Sequence, residues 1–301
     1  MAEGDSPTVA RLRVRRALRE ARDGAELTQA QVAEELEWSL SKVIRIENGD
    51  VTISVGDLRN LLNLLGVRDK DRVNSLLADA RLARARQRAA AGWWQEGRFR
   101  ELASDHLRKF VEYEAEASKI RSFNIFYVPG PLQTPDYGTA LTGTWVEEVD
   151  DFTREKVRVL VDARRRRREG LMARGGSLEY LILVDQSVLL RTFGGAELFA
   201  RQLRQIVELC SGSLFKLRML PFDLGVAIAN NGSFELATVG AGLSAHEVLY
   251  RENGVGDEIV ETPAETKRHR IRFDQLWSVA ATEGDTLAYV KQRINELEAT
   301  R

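Results

Sequence analysis

Residues 27–50 read LTQAQVAEELEWSLSKVIRIENGD. Thr28 is followed three residues later by Gln31, the spacing of a capping box, so a helix should start here and run to about Leu36. Val32, Ala33 and Leu36 give that helix one apolar side. Ser39 then caps a second helix, and Gly49 can take the left-handed conformation that ends it. In the second helix Val43 and Ile46 lie three apart and share a packing face. Lys42 and Arg45 are also three apart, on a different face, with Ser41 beside them. One face is suited to packing and the other to a polar or anionic partner.

The flanking sequence extends this pair into a helical domain. Thr8–Arg22 reads as a basic helix with Val9, Leu12 and Leu18 inside, ended by Gly24. A helix at 54–65 has Ser54 as its cap and Leu58, Leu61, Leu62 and Leu65 inside. A fifth runs from about Asp69 to Ala91 and carries Arg81, Arg84, Arg86 and Arg88. Five short helices make residues 1–91 an all-helical domain. Gly92, Trp93 and Trp94 mark a boundary, and residues 92–301 form a second domain. There Ser104–Ser122 and Thr153–Ala173 read as helices, and LEYLILVD and LFKLRMLPF read as strands around a helix at Ala196–Leu209. SFELATV and HEVLYRE alternate like neighbouring strands, and the chain is helical again from about Pro263. The expected fold class is α+β: an N-terminal all-helical domain of about five helices, then a larger mixed α/β domain.

Composition narrows the function. The chain has 301 residues, 44% of them hydrophobic, and a formal net charge of -1, so it is no simple polycation. Residues 1–91 hold 16 Lys+Arg against 14 Asp+Glu, and residues 92–301 hold 28 against 31. The slight basic bias of the first domain is compatible with DNA. A single cysteine, Cys210, rules out an intramolecular disulfide. The start, MAEGDSPTVARLRVRR, lacks the apolar core of a signal peptide, and no run of about 18 apolar residues occurs, so no membrane association and a cytoplasmic location are the expectations.

The two helices at 28–36 and 39–48 have the spacing of a helix-turn-helix, which places its second helix in the DNA major groove. Arg45 can donate two hydrogen bonds to a guanine edge. Gln29 and Asn48 stand where phosphates pass. The candidate DNA-contacting set is Thr28, Gln29, Ser39, Leu40, Ser41, Lys42, Arg45 and Asn48. A single such helix reads few base pairs, so a homodimer on a pseudo-palindromic double-stranded operator is expected.

The stretch resembles the helix-turn-helix of the Cro/repressor (XRE) family, which opens its second helix with Thr-Gln, as Thr28-Gln29 do, and closes its recognition helix with Ile-Glu-x-Gly, as Ile46–Gly49 do. That resemblance implies base contacts from positions 40, 41, 42 and 45; Leu40 is apolar there and suits a thymine methyl. The rest of the chain is similar to the large actinobacterial WhiJ-like regulators through EYEAEASKIRSFNIFYVPGPLQTPDYG, DQSVLLRTFGG, LRMLPF and GSFEL. Pro131 stands where that group has Leu, and Arg164–Arg168 replace its R-x-x-RQ. The resemblance implies a small BldB-like partner protein and, in some pairs, an antitoxin role.

Other stretches yield less. GAGLSA (240–245) fits G-x-G-x-x-A, but HEVLYRE after it reads as a strand, which favours a glycine-rich hairpin over a dinucleotide site. His106, His246 and His269 are scattered, and Cys210 ends an apolar helix, so neither a metal, a cofactor nor an enzyme activity is expected. Arg164–Arg168 wrap a helix, so at least one must turn inward or pair with acids such as Asp162 and Glu169. In Tyr127–Tyr137, prolines and glycines fix a loop whose Tyr127, Pro129, Gln133 and Tyr137 are candidates for an effector or partner contact, or for a structural corner. With strands near Leu217–Phe222 and Phe234–Val239 the loop is expected to frame a concave site. The whole reads as a dimeric, sequence-specific transcriptional regulator controlled by a small-molecule effector or a small partner protein. The alternative is an antitoxin-like protein that neutralises a small neighbour and regulates its own operon.

Overall fold

In the computed structural model, which describes residues 7–85, 92–148, 152–225, 232–240, 245–252 and 256–299, the chain divides into units Met1–Ala91 and Gly92–Arg301. The first holds α1 (Pro7–Gly24), α2 (Gln29–Glu35), α3 (Leu40–Asn48), α4 (Val55–Leu64) and α5 (Lys70–Ala85). Thr28, Ser39 and Ser54 each accept a hydrogen bond from an N–H in the first turn of the following helix, which fixes three helix starts. Leu18, Val32, Val43, Ile46, Leu58, Leu62 and Leu77 form one core. Arg13 on α1 forks onto Asp79 on α5, at 2.9 and 2.5 Å. Arg86 and Arg88 lie outside the described residues.

The second unit holds α6 (Gly97–Leu102), α7 (Asp105–Glu114), β1 (Ala117–Asn124), α8 (Pro135–Gly143), α9 (Trp145–Glu148), α10 (Arg154–Met172), β2 (Glu179–Asp185), α11 (Ala196–Cys210), β3 (Phe215–Leu220), β4 (Phe234–Val239), β5 (His246–Glu252), β6 (Asp257–Val260), α12 (Pro263–Val279) and α13 (Glu283–Ala299). The strands form a six-stranded sheet in the order β3-β2-β1-β4-β5-β6. β1, β2 and β3 are parallel, and β4, β5 and β6 continue antiparallel. The architecture is α+β, as the sequence implied.

Alternation along the strands sorts the two faces of the sheet. Phe123, Leu181, Leu183, Leu236 and Leu249 meet Phe273 and Leu276 of α12 on one face. On the other, Tyr180, Glu235 and Tyr250 meet α7 and α10 through Phe110, Glu114 and Arg167.

One expectation is corrected here. The helix expected over Ser104–Ser122 stops at Glu114, and Ala117–Asn124 is β1, one of the sheet's inner strands. The run EAEAS favours a helix locally, but hydrogen-bonded partners on both sides and burial of Ile120, Ser122 and Phe123 decide for a strand. The strands around Leu217 and Phe234–Val239 belong to the same sheet but do not adjoin, because β2 and β1 lie between them. β4 and β5 pair antiparallel, and a strand, not a helix, follows GAGLSA, of which residues 241–244 lie outside the described residues. Among the described residues no helix is long and apolar enough to cross a membrane.

Candidate nucleic-acid interface

The capping box at α2 is reciprocal. Thr28 Oγ1 accepts from the Gln31 N–H at 3.2 Å, and Gln31 Oε1 accepts from the Thr28 N–H at 2.8 Å. The turn into α3 puts Glu37 at φ 54°, a left-handed conformation, and is pinned by the Trp38 N–H donating to the Ala33 carbonyl at 2.8 Å. α3 ends at Gly49, φ 76°, whose N–H donates to the Ile46 carbonyl, while the Asp50 N–H reaches back to that of Arg45 at 2.9 Å.

The helix so bounded has two unlike faces. Val43, Ile46 and Glu47 are buried. Ser41, Arg45 and Asn48, at i, i+4 and i+7, are exposed, and Leu40 is 46% exposed. Arg45 makes no side-chain hydrogen bond or ion pair among the described residues, which leaves its five donors available. Lys42 is already engaged: its Nζ lies 3.2 Å from Asp57 Oδ2 on α4 and 3.7 Å from the centre of the Trp38 ring.

Sequence reasoning missed what holds this helix in place. Glu47 receives Arg22 Nε at 2.7 Å and Nη2 at 3.1 Å, and also Gln29 Nε2 at 2.9 Å. Arg19 donates to the Glu47 carbonyl, and Arg15 Nη1 to the Asn48 carbonyl at 2.9 Å. Hydrogen bonding to Glu47 raises the pKa of Arg22. Thus arginines of α1, whose charge suggested DNA, secure the carboxyl end of the recognition helix, where positive charge is favoured. Gln29, expected beside a phosphate, gives its amide to Glu47, while Thr28 and Ser39 are exposed at the amino ends of their helices. One signal was available: an acid in the last turn of a helix opposes the dipole and therefore needs a cation.

The loop residues are brought together but mostly turned inward. Gln133 is 6% and Tyr137 1% exposed, and both bind the loop itself: Gln133 Nε2 donates to the Val128 carbonyl at 2.7 Å, and the Val128 N–H reaches Tyr137 Oη at 3.4 Å. Burial raises the Tyr137 phenol to about 12. Pro129 is buried, and Tyr127 faces solvent, resting against Phe193. Three of the four candidates therefore hold a corner.

The five arginines divide their work by helical angle. Arg167 is buried and pairs with Glu114 at 2.6 Å and Glu235 at 2.7 Å. Burial alone lowers its pKa, but the two carboxylates hold it well above the ordinary value. Arg164 donates to Thr142 and Arg168 to the Gln133 carbonyl. Arg165 pairs with Asp162 and Glu169, and Arg166 with Glu96 and Asp162. Inward turning and salt pairing thus both occur. Cys210 closes α11 with its thiol pushed up to about 12 by burial, the state of a poor nucleophile. Among the described residues no cluster of three or more His, Cys, Asp or Glu could hold a metal ion.

Comparison with known proteins gives two family matches. A model described as "Helix-turn-helix domain" covers residues 13–76, which include the whole α2–α3 pair. A model described as "Domain of unknown function (DUF5753)" covers residues 107–292. No curated protein and no solved structure matches the chain. A capped helix pair inside the first match, and a second match over more than half of the 301 residues, make this chain a helix-turn-helix DNA-binding regulator that belongs to the DUF5753 family.

Proposed function

We propose that the protein binds a specific, pseudo-palindromic operator as a homodimer and regulates transcription, under control of a small molecule or a small partner protein that acts on Gly92–Arg301. The observation that carries the reading is the stripe of Ser41, Arg45 and Asn48, exposed on a helix whose other side is locked by Val43, Ile46 and Glu47. A helix held that firmly presents its arginine fork to a guanine edge with the backbone already ordered, so only the side chain loses freedom on binding. Dimerisation supplies the second half-site that one helix cannot read. The similarity to WhiJ-like regulators supports a small partner protein, and Tyr127 with its neighbour Phe126, 39% and 46% exposed, offers it an aromatic contact. A cytoplasmic location goes with this reading.

The test is selection of bound duplexes from a random library, followed by affinity measurement on the recovered sequence. Arg45→Ala should cost about 1–3 kcal/mol and relax preference at one base pair. Enrichment of no sequence, or an Arg45→Ala variant that binds the selected duplex as tightly as the parent, would overturn the reading. Light scattering on and off the duplex checks the dimer.

A further inference from the structure

The start of the recognition helix α3 and the start of α4 meet through Lys42 and Asp57. Lys42 is the third residue of α3, its N–H bonded to Ser39 Oγ at 3.2 Å, and Asp57 is the third residue of α4, its N–H bonded to Ser54 Oγ at 2.9 Å. The caps fix both backbones, and the carboxylate at the amino end of α4 is further favoured by that helix's dipole. Between them the Lys42 ammonium is held from two sides, by Asp57 Oδ2 at 3.2 Å and by the Trp38 ring centred 3.7 Å away. Lys42 and Asp57 nonetheless stay 37% and 34% exposed, and Arg45, the next basic residue of α3 after Lys42, is unrestrained.

We infer that Asp57 is a positioning residue that sets sequence specificity, by keeping Lys42 at a base-edge position and away from phosphates. This rests on the DNA-binding reading above and adds the division of labour between the two cations. A lysine is a flexible point charge that any phosphate can capture, and such capture is blind to sequence. Asp57 and Trp38 remove that freedom. An ammonium has three donors, so Lys42 can keep Asp57 while offering another N–H to an acceptor on a base. Leaving for a phosphate would exchange one anion for another and turn a bare carboxylate toward the duplex. Asp57 thus withholds one charge from arbitrary DNA and leaves the contact with the correct sequence in place.

The experiment compares the parent, Asp57→Asn, Lys42→Met and the double variant on two fluorescent duplexes, one of random sequence and one recovered by selection with the parent. Asn keeps the backbone bond to Ser54, and circular dichroism melting checks each fold. On the random duplex Asp57→Asn should bind roughly three- to fivefold tighter, the scale of a surface ion pair. Its dependence of log affinity on log salt should steepen by about one, because one more phosphate is engaged. On the selected duplex it should bind no tighter, so the specificity ratio falls. In the Lys42→Met background the gain should shrink to less than about twofold, the non-additivity expected of coupled residues. An equal change on both duplexes, or an undiminished gain without Lys42, would show that Asp57 merely repels DNA and would end the proposal. Failure of the parent itself to bind either duplex would instead withdraw the DNA-binding reading, and this inference with it.

Discussion

Arg22 of α1 and Glu47 of α3 meet in a forked ion pair, Nε to Oε1 at 2.7 Å and Nη2 to Oε2 at 3.1 Å, with Glu47 only 3% exposed. Through it the first helix fixes the rotation of the third. Glu47→Ala leaves Arg22 and Gln29 without their shared acceptor and should destabilise the first unit by about 3 kcal/mol. Amide hydrogen exchange across α1–α5 would register the loss, and affinity for the selected duplex should fall with it.

Gly49 is closed to any side chain for two reasons. Its φ is 76°, and a Cβ there would sit 2.3 Å from Arg15 Nη1, the group that donates to the Asn48 carbonyl. Gly49→Ala therefore strains the backbone and displaces the arginine at the helix end, at a combined cost of about 2 kcal/mol. Urea unfolding measures it; an unchanged midpoint would contradict the geometry.

Arg167 is the counter-ion of Glu114 and Glu235. Arg167→Met keeps the length of the side chain and removes the charge, for a loss of about 4 kcal/mol near neutral pH. Burial already raises the Glu114 carboxyl, with Arg167 opposing it, so the variant raises it further. A carboxyl whose folded pKa lies above its unfolded value contributes full stability below that unfolded value and loses it as pH rises through the folded one. The gap between variant and parent should accordingly narrow from about pH 7 to about pH 4.5, as paired denaturation curves would show.

The Cys210 thiol, at about 12, is protonated throughout the neutral range. Folded protein should react with iodoacetamide at about pH 8 on the order of a thousand times more slowly than unfolded protein, whose thiol ionises near 8.5. By the same linkage, its contribution to stability is complete below that value and declines as pH climbs toward 12.

Local chemistry made the interface legible. Thr28, Ser39 and Ser54 announce helix starts by residue type, and Val43 with Ile46 shows which side of α3 packs, because both signals span no more than a few residues. That Glu47 needs a cation is legible from its place in the last turn of α3, but that Arg22 supplies it was hidden, since the two lie 25 residues apart and nothing local pairs them. β1 was hidden for the opposite reason: EAEAS speaks for a helix, and only the ladders to β2 and β4 overrule it. For Arg164–Arg168, rotation about a helix shows that one must face inward, but which one depends on where Glu114 and Glu235 stand.

The margins of the sheet are protected unequally. On β3 the Met219 N–H donates to Thr286 Oγ1 and the Met219 carbonyl accepts from the Ala281 N–H, so the link after α12 and the first turn of α13 plug that border with the chain's own backbone and hydroxyl. On β6 the border carries Glu258, paired with Arg251 at 2.6 Å, and Asp257, which accepts from Ser104 and Tyr250 but faces no cation among the described residues, so a second copy laid edge to edge would set its carboxylate against another. The first barrier is built of backbone and hydroxyl and is indifferent to salt, whereas the second is one of charge, which added salt screens. Strand-to-strand polymerisation, if high salt provokes it, should therefore spread from β6 and not from β3.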